Sequence, residues 1–105
     1  WRDQKIKYGN GFDLLTVAQE SMRQLTNVSS EEQIREIIDL FQTALSRGLN
    51  NYPNQRAIVF RNLGELKERL GDKFTAIENY EEAMKCNPKI GVKKRLSQLK
   101  QSLEQ

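Results

Sequence analysis

Apolar residues return along this chain every three or four positions, the period of an amphipathic helix. Phe12, Leu15, Ala18, Met22 and Leu25 form a first stripe, with Asn10 placed to cap its start. "NVSSEEQ" breaks the period and carries two overlapping capping boxes, Ser29 with Glu32 and Ser30 with Gln33. Ile34, Ile37, Ile38, Phe41 and Leu45 make the second stripe, which ends at Gly48 as a left-handed cap. "LNNYPNQ" has the composition of a loop. A third helix is expected from about Gln55 to Leu70, with Ala57, Phe60, Leu63, Leu66 or Lys67, and Leu70 inward. Gly71 stops it and Asp72 caps a fourth, which carries Phe74, Ala76, Ile77, Tyr80, Ala83 and Met84. Asn87 and Pro88 end the fourth, and Pro88 is expected to open a fifth with Val92, Leu96, Leu99 and Leu103 on a narrow stripe. The pattern predicts an all-α chain of about five helices in antiparallel hairpins, a single domain over residues 1–105.

Composition narrows the chemistry. The chain has no histidine, which removes the commonest general base and the commonest metal ligand. Its single cysteine, Cys86, can neither form an intrachain disulfide nor build a structural zinc site, and it reads as a structural or incidental thiol rather than a nucleophile. Gly9 and Gly11 make a short turn without the further glycine of a nucleotide-binding loop. The acidic pairs Glu31–Glu32 and Glu81–Glu82 are adjacent, so they diverge on a helix and read as solvated faces. No metal or cofactor is implied, and no enzymatic activity is expected. No run approaches the roughly eighteen apolar residues of a membrane-spanning helix. With no signal-peptide pattern either, a cytoplasmic setting is expected. The chain opens on Trp1 rather than Met and reads as a piece of a longer protein.

The stretch from Phe60 to Pro88 carries a more specific register. Phe60, Leu63–Gly64, Gly71–Asp72, Ala76, Tyr80, Ala83 and Pro88 alternate small and large residues across two helices. This spacing resembles the tetratricopeptide repeat, a helical hairpin of about 34 residues that stacks with its like. The matching unit spans residues 57–90, and Lys67 stands where the repeat usually has an aromatic residue. Gly64 and Ala76 are expected to face one another across the hairpin, their smallness letting the helices approach. Ile37, Phe41 and Ala44 echo Ala76, Tyr80 and Ala83, so the first two helices read as a degenerate earlier repeat. Residues 91–105 resemble the solvating helix that caps such arrays. The resemblance implies a right-handed superhelical segment.

The same resemblance implies a non-catalytic adaptor or scaffold segment that holds a peptide or partner helix in a concave groove. The groove positions fall on Ile58, Arg61, Asn62, Glu65 and Arg69. One branch of the family clamps C-terminal carboxylates of chaperones with lysine, asparagine and arginine. Arg61 fits one clamp slot, but Glu65 stands where that clamp has asparagine and would repel a carboxylate.

Charge adds an alternative. From Lys85 onward there are six basic residues and one acid, Glu104, whereas residues 8–84 carry eight basic and twelve acidic side chains. Lys89, Lys93 and Lys100 fall along one flank of the expected fifth helix, a basic surface for an acidic partner, an anionic membrane surface or nucleic-acid phosphates. Nucleic acid is disfavoured, because this segment has no aromatic residue for base stacking. A third reading is homo-oligomerisation, or docking to an upstream domain, through Trp1, Tyr8 and Phe12 near the N-terminal edge.

Overall fold

In the computed structural model, residues 4, 7 and 9–104 are described. The chain is all-helical over these residues. Five α-helices run between Gly11 and Glu104: α1 (Gly11–Arg23), α2 (Glu31–Ser46), α3 (Pro53–Arg69), α4 (Lys73–Cys86) and α5 (Lys93–Glu104). A single 3₁₀ turn, Leu49–Asn51, lies between α2 and α3. The chain divides into two compact units, Trp1–Tyr52 and Pro53–Gln105.

In the first unit α1 lies against α2. Asn10 caps α1 as expected. The box is completed by Asp13, whose backbone N–H donates to Asn10 (3.0 Å) while its carboxylate accepts from the Asn10 N–H (3.2 Å). Of the two boxes possible before α2, the chain uses Ser30 with Gln33. Ser29 instead accepts from the Thr26 N–H at 2.8 Å. The α1 stripe departs from expectation. Leu14, Leu15, Val17 and Ala18 are buried, while Phe12 is exposed and packs edge-on against Tyr52 at 4.9 Å. The buried face is therefore turned from the expected one. On α2 the expected isoleucines and Phe41 are buried, with Ala44 rather than Leu45 completing the row. Gly48 takes φ 113°, the left-handed conformation expected of it. The Gly11 N–H donates to the Arg47 carbonyl at 3.1 Å, which joins the start of α1 to the end of α2.

In the second unit α3 and α4 form the principal hairpin and α5 lies along α4. Helix α3 starts at Pro53, two residues before the expected Gln55, because proline suits a first turn whose N–H has no helical partner. Asp72 caps α4, accepting from the Thr75 N–H at 3.1 Å. Ala76, Ile77, Tyr80 and Ala83 are buried, but Phe74 is 72% exposed, contrary to its expected place in the stripe. Pro88 does not open α5. It sits in a turn with Gly91 at φ 86°, and the helix begins at Lys93. Val92, Leu96 and Leu99 pack on Ala76, Ile77 and Tyr80, with Met84 and Ile90 at the margin. Leu103, the expected fourth member, is 37% exposed and does not join them.

Candidate functional site

The hairpin register is built around Tyr80. The atoms nearest to where a Gly64 side chain would begin are all of the Tyr80 ring, at 2.6–2.8 Å. Gly64 therefore makes room for the Tyr80 ring, the group nearest to it across the hairpin. Ala57, Ala76 and Ala83 are fully buried. The Tyr80 hydroxyl donates to Glu68 Oε2, and Arg95 of α5 donates to Glu68 Oε1, so one carboxylate ties α3 to both α4 and α5. Burial opposes the charge on Glu68, yet the hydrogen bonds from Arg95 and Tyr80 outweigh it and hold its pKa below the usual value. Burial, reinforced by the hydrogen bond to Glu68, pushes the Tyr80 hydroxyl well above the ordinary phenol range. Arg95 is held above its usual value, first by its hydrogen bond to Glu68.

A second cluster closes the other end of the hairpin. Arg56 Nη1 donates to Cys86 Sγ at 2.7 Å and to Glu82 Oε2 at 3.4 Å, while its guanidinium lies 4.7 Å from the centre of the Phe60 ring. These contacts join the start of α3 to the end of α4.

The five expected groove residues do not share one environment. Ile58, Arg61, Glu65 and Arg69 fall on one α3 stripe, with Ile58 and Arg61 half-buried and Glu65 and Arg69 exposed. Asn62 leaves the set. It is 6% exposed, the one buried polar side chain among the described residues. The reason is its phase: Asn62 lies three residues after Val59 and four before Leu66, both fully buried, and so joins their stripe. Among the described residues no buried side-chain nitrogen or oxygen lacks a hydrogen-bond partner. The remaining stripe carries both signs of charge. Partial desolvation raises the Glu65 pKa, Arg61 one turn earlier lowers it, and Glu68 raises it again, leaving it above the ordinary value.

The basic surface is also altered. Lys89 lies in the turn before α5, so the expected row of Lys89, Lys93 and Lys100 keeps only Lys93 and Lys100 on the helix. All three are exposed. Arg95 points its charge to Glu68 instead. Trp1 and Tyr8, of the expected N-terminal docking edge, lie outside the described residues. Phe12 is 41% exposed.

Two features were not anticipated. The Glu68 junction depends on three helices meeting, which no local spacing encodes. The close approach at Gly11 has a sequence signal, a glycine inside the first turn of a helix, but that signal also fits an ordinary turn. No described helix is long and apolar enough to cross a membrane. Comparison of the chain with protein-family models, with curated proteins and with solved structures yields no match.

Proposed function

We propose that this chain is a non-catalytic protein-interaction module of tetratricopeptide type, acting in the cytoplasm as an adaptor or scaffold segment. Its ligand is a peptide or partner helix lying along α3. The observation that carries the reading is the seating of Gly64 on the Tyr80 ring, with Ala76 and Ala83 fully buried on the same hairpin. The small and large residues whose spacing resembles the repeat thus have a packing reason for their sizes. With that register, the stripe of Ile58, Arg61, Glu65 and Arg69 is a part of α3 that solvent still reaches, and a ligand would lie along it. Half-buried Ile58 offers an apolar anchor, and Arg61 with Glu65 offers both charges, so the ligand is itself mixed in charge.

The reading is tested by selecting peptides from a random display library on the full chain and mapping the tightest by amide chemical-shift changes. Shifts centred on Ile58, Arg61, Glu65 and Arg69 are expected. Shifts centred on Lys93 and Lys100 would replace the groove with the basic surface. A library yielding no binder would remove the peptide-binding reading.

A further inference from the structure

The exposed face of α4 has a pattern that the peptide reading leaves unused. Phe74, Glu78, Glu81 and Lys85 follow one another at steps of four, three and four, on one side of the helix. All four are exposed, and Phe74 is 72% so, the most exposed aromatic side chain among the described residues. At the C-terminal end of the same face an open groove of about 440 Å³ is lined by Met84, Pro88 and Leu96, with Glu81 and Lys85 at its rim. One end of α4 thus presents an apolar plug and the other an apolar socket.

We propose that this face pairs with the same face of a second copy, the two α4 helices running antiparallel about a twofold axis. An isologous contact needs a surface complementary to itself, and this one meets that condition in a single register. When Phe74 of one copy lies over the groove beside Pro88 of the other, Glu78 of the first falls opposite Lys85 of the second. Each contact then occurs twice. Lys85 already pairs within its own chain with Glu82 at 3.3 Å, and Glu82 also bonds Arg56, so Glu82 is occupied from two sides while Glu78 is open to a new partner. Glu81 falls at the axis, facing its own counterpart. That like-charge meeting opposes association and gives the arrangement a signature that general stickiness lacks. The surface is on α4, away from the α3 stripe, so the two proposals stand or fall separately.

Sedimentation equilibrium of the full chain over a range up to about 1 mM tests the pairing. A reversible monomer–dimer equilibrium is expected. Phe74→Glu should raise the dimer dissociation constant by about tenfold or more. Glu78→Lys and Lys85→Glu should each weaken it, and the double variant should return it towards the parent value, because the ion pair is restored with its signs exchanged. Glu81→Gln should tighten it. Circular dichroism melts of each variant check that these exposed substitutions leave the fold intact. A chain that stays monomeric throughout overturns the proposal. So does a dimer that survives Phe74→Glu, a double variant as weak as its parents, or Glu81→Gln without gain.

Discussion

Glycine in the middle of a helix ordinarily costs about 1 kcal/mol against alanine, so Gly64→Ala would normally stabilise α3. The structure predicts the opposite sign. A β-carbon at Gly64 would stand 2.6 Å from one Tyr80 ring carbon and 2.8 Å from two others. Tyr80 is 2% exposed and its hydroxyl is held by Glu68, so the ring has no free direction of retreat. Gly64→Ala is expected to lower stability in urea by on the order of 1 kcal/mol net, and Gly64→Leu by about 1–3 kcal/mol. A midpoint for Gly64→Ala above that of the parent would show that the ring does not lie over Gly64. Gly11 makes a sharper case. An added β-carbon there would meet the Ala44 carbonyl oxygen at 2.7 Å and Leu49 Cγ at 2.8 Å. A main-chain oxygen cannot rotate aside as a side chain can. Gly11→Ala should therefore cost about 1–3 kcal/mol by the same urea measurement, although alanine is the better helix former.

Between helices, the Glu68 junction sets how α5 is held. Leu96 and Leu99, with Val92 just before the helix, carry its burial. The polar ties are Arg95 to Glu68 and Lys73 to Ser102, the latter at 2.6 Å. Two carboxylates on α3 then respond to acid in opposite senses. Glu68 has its pKa depressed on folding, so its contribution is complete above the unfolded carboxyl value of 4.5 and is lost as pH falls through the folded value. Glu65 has its pKa raised, so its charged form weakens the fold at neutral pH, and stability is regained as pH falls through that raised value. Glu68→Gln should destabilise the neutral protein by about 1–3 kcal/mol, the worth of hydrogen bonds to a half-buried charge, and flatten the acid limb of a stability–pH curve. Glu65→Gln should change stability at pH 7 by only a few tenths of a kcal/mol upward, because solvent screens an exposed group. Equal effects from the two would remove the distinction. At this scale the sequence makes local features legible and tertiary ones not. Helix existence, the Asp72 and Ser30 caps and the Gly48 stop were legible because each is local chemistry. Phe12 and Phe74 were misplaced because a period of three or four allows neighbouring stripes, and tertiary partners choose between them. Asn62 matches a groove position of the resembled repeat, but its phase places it with Val59 and Leu66, and it is buried. Pro88 suited a helix start, but Gly91 three residues later takes a left-handed conformation that delays α5 to Lys93.

Across the whole molecule the balance of charge is uneven, with a basic C-terminal stretch following a net-acidic body, and this allows the α3 stripe to be told from long-range attraction. Charges on α5 act at a distance and are screened over roughly 8–10 Å at physiological salt. Side chains that touch a ligand lose contacts whatever the salt. For a mixed-charge peptide selected on the full chain, Arg61→Glu with Arg69→Glu should abolish binding at both low and physiological salt. Such a change replaces attraction by repulsion at two points of a small contact. Lys89→Gln, Lys93→Gln and Lys100→Gln together should weaken binding only at low salt and mainly through a slower association rate, as expected of charges that steer rather than touch. Surface plasmon resonance at two salt concentrations separates the two cases. If the lysine variant alone loses binding, with a steep dependence on salt, the ligand surface is the exposed side of α5, and the peptide reading of α3 is wrong.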